Sequence, residues 1–318
     1  MRNCIPEHFV IKMGDALMNI GLALGSGGLR GAAHIGVIKV LESAGIKPNM
    51  IAGTSAGSVI AAFYASGMST EQIEKMALNL KKEDILDTTR STAISLIGPA
   101  FNLLFGFRKN LPSGIMRGQK LESYLFKKLG KTKMSELKIP CYIVSVDINS
   151  GHKIVFSSNK NREFKGTYCY DAYVKDAVRA SCSIPGVFMW KKWNNRCLTD
   201  GAIREPVPVR TLKEMGADYI IAVDLGHSGS SNIQAIDIID SVSQAVEIMG
   251  EEVAQYLVHN YADVVINPEI FSVPLSATEQ ISKCIEYGRR AAKKALPEIV
   301  SGIRRMEIKN NNTKAINM

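Results

Sequence analysis

The chain has 318 residues, 46% of them hydrophobic and 22% charged, with a formal net charge of +9. This length fits one large domain or two small ones with an ample core, and the composition excludes a disordered or fibrous chain. Six cysteines without a C-x-x-C pair argue against a disulfide framework and a metal site, so no metal or cofactor is expected and a reducing compartment fits.

The positive balance favours anionic surfaces, lipid or nucleic acid, without choosing between them. No apolar run reaches the roughly 18 residues that span a bilayer. The N-terminal stretch is broken by Lys12 and Asp15 and makes a poor secretory signal. A soluble, cytoplasmic protein is expected.

Along the chain, "IGLAL" (20–24) reads as a short buried strand, followed by the glycine-rich "GSGGLRG" and a helix through "AAHIGVIKVLESAG" that stops at Gly45. "MIAG" is a second strand, turning at Ser55 into a helix over about 57–66. "STEQIEKMALNL" opens another helix with a capping box at Ser69 or Thr70. "IPCYIVSVDI" is a strong strand and "KIVFSS" its hairpin partner. "DAYVKDAVRASCSI" is a helix halted by Pro185, and "ADYIIAVDLG" a further buried strand. Helical spacing returns over about 234–260 and 279–304, before a polar, frayed end. Strands alternating with helices imply an α/β fold with a largely parallel sheet.

Three motifs carry chemistry. Gly53, Ser55 and Gly57 form G-x-S-x-G at a strand-to-helix turn, where a serine hydroxyl is pushed out of the sheet and the glycines remove clashing side chains. The helix N-terminus there favours developing negative charge. The same residues also suit an ordinary tight turn. Gly25-Ser26-Gly27-Gly28-Leu29-Arg30-Gly31 lies between a strand and a helix, but its glycine spacing misses the dinucleotide fingerprint and it lacks a Walker Gly-Lys-Ser/Thr. What remains is a run of backbone N–H groups suited to an oxyanion, with Arg30 as a loop anchor. The third motif is Asp200-Gly201-Ala202 in "LTDGAIREPVPV", either a common Asp-Gly turn or a general base.

In this order, with "ASCSIPGVF" (180–188) ahead of the aspartate, the motifs resemble the patatin-like phospholipases, bacterial members above all, over about residues 20–210. The resemblance implies a three-layer α/β/α sandwich with a mostly parallel central sheet. It also implies hydrolysis of acyl esters of phospholipids, lysophospholipids or related lipids through a Ser–Asp dyad. Carried over by position, Ser55 is the nucleophile, Asp200 its base, and Gly27 and Gly28 the oxyanion donors. Gly25, Arg30, Gly31, Gly53, Gly57, Gly201 and Ala202 support them. Ser26 stands where the plant-type loop has a third glycine, and its backbone N–H is expected to remain available.

Of the five histidines, His8, His34, His152, His227 and His259, His34 reads as structural. His227 is the better triad candidate should the dyad fail, with Asp224 as rival carboxylate, and Asp147 reads as a strand-end residue. Two other functions stay open. One is an acyltransferase using the same serine, although such enzymes usually carry histidine where this chain has Thr54. The other is a non-catalytic lipid-binding module, against which the intact Ser55, Asp200 and loop glycines argue.

The boundaries expected are an extension over 1–17, the patatin-like domain over 18–304 and a disordered tail over 305–318. "ISLIGPAFNLLFGF" (94–107) carries no charge, and residues 108–133 hold eight Lys or Arg against Glu122. An apolar stretch beside a basic one fits peripheral contact with an anionic membrane at its inner face, with Leu103, Leu104, Phe105 and Phe107 as lipid contacts. The alternative is that 94–107 pack inside and the lysines solvate a helix face. The expected partner is thus lipid, not nucleic acid.

Overall fold

A computed structural model describes residues 18–87, 113–160, 167–226, 238–270, 273 and 278–316. The expected extension over 1–17, the apolar stretch 94–107 and His227 lie outside the described residues.

Eleven strands are described: β1 (Ile20–Leu24), β2 (Met50–Thr54), β3 (Gly114–Met116), β4 (Cys141–Asp147), β5 (Lys153–Ser157), β6 (Thr167–Cys169), β7 (Gly186–Phe188), β8 (Lys191–Trp193), β9 (Arg196–Asp200), β10 (Tyr219–Val223) and β11 (Val264–Ile266). The main sheet runs in the order β11-β10-β1-β2-β4-β5-β6. From β11 through β4 every pairing is parallel. β5 joins β4 antiparallel, as the hairpin reading of "KIVFSS" requires, and β6 joins β5 in parallel.

Parallel strands are covered on both faces, so β1, β2 and β10 are buried throughout. Alternate residues feed two cores. Leu22, Leu24, Ile221 and Val223 face one side, with the helices Ala33–Ser43, Ala56–Ala65 and Ile281–Ile316. Ala23, Ile220 and Ala222 face the other, with Val209–Glu214 and Ile238–Tyr261. Helix, sheet and helix therefore make three layers. Helix Ala33–Ser43 meets Ile281–Ile316 at backbone contact distance, because a methyl at Gly36 or Gly288 would strike the facing main chain.

Local signals are visible where they were expected. Ser69 caps the helix Thr70–Leu78 in a box with Gln72. Gly45, with φ 78°, follows the end of the first helix. The frayed tail expected from residue 305 is corrected: the last helix continues to Ile316. Past Gly302 the sequence holds no glycine or proline, so nothing in it stops the helix.

One pairing sets the site. β4 gives its β2-side edge to two strands in succession. Its first half pairs with β2 up to Thr54 opposite Val144. Its second half pairs with β9, running the other way, up to Asp200 opposite Ser145. The other edge is taken by β5. β2 and β9 thus run head-on toward each other along one edge, and their last residues meet.

Candidate active site

Ser55 follows β2 and opens the helix Ala56–Ala65. Its φ of 53° and ψ of −122° lie where a residue with a side chain is strained, by roughly 1–3 kcal/mol. The other non-glycine positive φ angles among the described residues are at Asn194 and Asn195, in the β8–β9 turn. Asparagine tolerates that region; serine does so far less readily. The turn is sharp enough that a methyl on Gly57 would run into the Leu24 carbonyl, and one on Gly53 would come within 2.5 Å of the Gly57 backbone. Ser55 is fixed from behind. Its N–H donates to Ser181 Oγ at 2.9 Å, and its carbonyl accepts from the Ser58 hydroxyl at 2.6 Å.

Asp200 ends β9 and caps the 3-10 turn Gly201–Ile203, its Oδ1 accepting the Ala202 N–H at 2.9 Å. Its own N–H donates to the Ser183 carbonyl at 2.9 Å. Ser55 and Asp200 are both buried, at 5% and 3% exposure. Burial pushes the Asp200 carboxyl up to about 7, against the opposing pull of the Ser55 hydroxyl and the Ala202 N–H. A carboxylate facing a serine hydroxyl in a buried site, titrating near neutrality, can accept a proton from that hydroxyl and return it.

The loop Gly25–Gly28 leaves β1 beside β2, since Leu24 pairs with Gly53. It is held at its base. Gly25 N–H donates to Val223 O and Ser26 N–H to Pro206 O, at 3.0 and 2.9 Å. The expectation that the Ser26 N–H stays available is corrected: the Pro206 carbonyl takes it. Gly27 and Gly28 both have positive φ, 155° and 56°. Their N–H groups have no acceptor among the described residues. Arg30 is buried, and its Nε donates to Val273 O at 2.7 Å, anchoring the start of the first helix. Gly31 abuts Ala56 of the second helix, and Gly201 abuts the Val144 carbonyl. Gly25, Gly27, Gly28, Gly53, Ser55, Gly57, Asp200, Gly201 and Ala202 therefore gather around the ends of β1, β2 and β9. Leu103, Leu104, Phe105 and Phe107 lie outside the described residues.

A model of the patatin-like phospholipase family matches residues 22–213, more than half of the chain. The chain belongs to the patatin-like phospholipase family. An uncharacterised NTE family protein of Mycobacterium tuberculosis is 32% identical over 215 residues, 68% of this chain and 51% of that protein. Lysophospholipase NTE1 of Meyerozyma guilliermondii is 28% identical over 224 residues, 70% of this chain and 14% of that one. The chain thus spans about half the length of the mycobacterial relative and far less of the fungal one. Human GIVD cytosolic phospholipase A2 shares the fold, with a TM-score of 0.52 and 11% identity over 92% of this chain and 60% of that structure.

Around this patatin-like centre the histidines are accounted for by place. His34 is fully buried in the first helix, and its Nε2–H donates to the Gly25 carbonyl at 2.8 Å. Burial lowers its pKa to about 4, so it is neutral near pH 7. His152 and His259 are exposed on a turn and a helix, while His8 and His227 lie outside the described residues. Asp147 closes its own strand-end turn, accepting from Ser150 Oγ and the Asn149 N–H. Asp224 accepts from the Gly226 N–H. Among the described residues no group of three or more His, Cys, Asp or Glu is placed to hold a metal ion.

The residues of "ASCSIPGVF" carry no role that the sequence alone assigns. Ser181, Cys182 and Ser183 lie directly against the site: Ser181 on Ser55, Ser183 on Asp200, and the Cys182 thiol beside Ser55 and 3.9 Å from Ser58 Oγ. Burial pushes that thiol up to about 12, so it is uncharged. Glu205 likewise carries no signal in the sequence. It is fully buried, accepts from Thr211 and Lys153, and its carbonyl takes the Thr54 hydroxyl at 2.8 Å, tying the Asp200 loop to the end of β2. Two hydroxyl residues flanking Cys182 at the end of an amphipathic helix were the available signal.

Proposed function

We propose that this chain is a serine hydrolase of lipid acyl esters, phospholipids and lysophospholipids among them, working through a Ser55–Asp200 dyad. The observation that carries the reading is the strained Ser55 at a strand-to-helix turn, facing a buried Asp200 whose pKa is near 7. The family match and the lysophospholipase name of a fungal relative supply the substrate class.

In this mechanism Ser55 Oγ attacks the ester carbonyl carbon while its proton passes to Asp200. The carbonyl electrons move onto oxygen, and the oxyanion accepts hydrogen bonds from the N–H groups of Gly27 and Gly28. Each such donor is worth roughly 3–4 kcal/mol in comparable hydrolases. Collapse expels the alcohol, which takes the proton from Asp200 and leaves an acyl-Ser55 ester. Water then gives a proton to Asp200 and attacks the acyl carbon. Release of the fatty acid returns the proton to Ser55. Peripheral docking on anionic membrane through residues 94–133 belongs to the same reading. The test is release of fatty acid from phospholipid and lysophospholipid vesicles, with a long-chain fluorophosphonate as probe. Turnover and covalent labelling at Ser55, both lost in Ser55→Ala, are expected. Turnover that survives Ser55→Ala would overturn the proposal.

A further inference from the structure

Residues 181–183 make a two-point clamp. Ser181 Oγ accepts the Ser55 N–H at 2.9 Å and donates its own proton to the Val144 carbonyl at 2.6 Å. Two residues on, the Ser183 carbonyl accepts the Asp200 N–H at 2.9 Å and the Thr199 hydroxyl at 2.7 Å. One rigid tripeptide, at the end of the helix Val174–Ser181, therefore grips the nucleophile turn at one end and the base at the other. The clamp is itself locked: the Arg179 guanidinium donates to Ser183 Oγ at 2.6 Å and to the carbonyls of Arg117, Gly118 and Met189.

We infer that Ser181 is a positioning residue for the reaction proposed above: its hydroxyl holds Ser55 in the strained conformation that aims Oγ at the substrate and at Asp200. The physical reason is local. The φ of 53° at Ser55 is unfavourable for serine and persists only where surrounding bonds fix it. The bond to Ser181 is the one made by the Ser55 backbone N–H, on the axis about which that angle turns. Ser181 is fully buried, and its hydroxyl both accepts and donates within the protein. Its second bond lands on Val144, the residue of β4 opposite the last residue of β2, and Gly201 of the Asp200 loop packs on the same carbonyl. Nucleophile, base loop and sheet thus share one anchor.

The experiment compares Ser181→Ala with Ser157→Ala on the full chain. Ser157 is a buried serine remote from the site that likewise donates to and accepts from the main chain, both at Asn159. Readouts are kcat and KM on lysophospholipid, the rate of Ser55 labelling by the fluorophosphonate, and the melting temperature. For Ser181→Ala we expect kcat and the labelling rate to fall together, about 10- to 100-fold, with KM within twofold and the midpoint of the acid limb unmoved. Ser157→Ala should lower the melting temperature comparably with kcat unchanged. A Ser181→Ala enzyme with wild-type kcat and labelling rate overturns the inference, as does a loss carried by KM. Should Ser181→Ala not fold, Ser181→Cys, which keeps only a weak, longer partner for the Ser55 N–H, is read by the same criteria. Failure of the underlying dyad is seen separately, as wild-type enzyme that neither turns over nor labels at Ser55.

Discussion

The Ser55 hydroxyl and the Asp200 carboxylate face each other because β2 and β9 end head-on along one edge of β4, at Val144 and Ser145. The approach of the two side chains is a consequence of strand register, and both residues are buried.

With Asp200 as the base, kcat/KM should rise with pH along an acid limb centred near 7. The cause is burial, which holds the carboxyl far above its ordinary 3.8. A carboxylate so placed titrates where an imidazole also would, so the midpoint alone does not identify the base. The temperature dependence of the limb does. Carboxyl ionisation is nearly athermal, whereas imidazole ionisation absorbs substantial heat. A midpoint that stays fixed between 10 and 40 °C is the expected outcome, with Asp200→Asn as inactive as Ser55→Ala. A midpoint that falls steeply on warming would assign the limb to a histidine.

Asp200 should also cost stability. Its folded pKa is raised, so the folded state holds a proton that the unfolded chain releases between pH 3.8 and about 7. Stability contributed by the protonated form is full below 3.8 and is lost as pH rises through 7, by up to about 4 kcal/mol. Asp200→Asn keeps an acceptor for the Ala202 N–H and removes the charge. It should raise the melting temperature at pH 8 and leave it unchanged near pH 3.5. An equal shift at both pH values would trace the effect to packing.

His34 should work in the opposite direction. Its pKa is lowered by burial from 6.5 to about 4, so the unfolded chain takes up a proton that the folded one refuses. Stability is lost as pH falls from 6.5 through 4, by an amount of the order of 3 kcal/mol. Between pH 4 and 6.5 this slope offsets that of Asp200. The contributions of these two residues to the melting profile should therefore largely cancel in that window. Replacing either residue unmasks the other: His34→Gln should lose stability as pH rises, Asp200→Asn as pH falls. Thermal melts at half-unit pH steps check both signs.

How much of this was legible in the sequence depends on the range of the interaction. The Ser55 turn was legible because its demands are local: Gly53 and Gly57 meet backbone within a few residues or on the adjacent strand. The capping box at Ser69 and the β4–β5 hairpin are local in the same way. The grip of Ser181 on Ser55 spans 126 residues, and that of Thr54 on the Glu205 carbonyl spans 151. No periodicity encodes such pairs. They follow from β9 joining the β2 edge of β4, a topology that composition and spacing leave open. The bond from the Ser26 N–H falls under the same limit, since Pro206, which takes it, is remote in sequence and adjacent only in the fold.

Gly57 offers a steric test of the turn. A methyl there meets the Leu24 carbonyl, which is backbone of a central strand and has no room to shift. Gly57→Ala should cost about 1–3 kcal/mol by overpacking and abolish labelling at Ser55. The melting temperature and fluorophosphonate reactivity check both effects. Full labelling in this variant would mean that the turn relaxes without moving Oγ.

Docking on anionic lipid is the remaining expectation, and part of the basic stretch behind it is described. Arg117, Lys127, Lys128, Lys131 and Lys133 are exposed on and beside the helix Gln119–Leu129. The acid in that stretch, Glu122, is engaged by Lys175 and Lys191, which come from other elements. Glu122 therefore does little to neutralise the exposed lysines. Each basic group near a surface adds on the order of 1 kcal/mol of attraction to an anionic bilayer. Co-sedimentation with phosphatidylserine-containing vesicles should exceed that with neutral vesicles at low salt, and the excess should vanish at high salt. Changing Lys127, Lys128, Lys131 and Lys133 together to Gln should remove most of the excess while sparing hydrolysis of a soluble short-chain ester. Phe105→Asp separates the apolar share, because it should weaken binding to both vesicle types at either salt. Binding indifferent to lipid charge, salt and both sets of substitutions would leave the lysines as a solvated helix face.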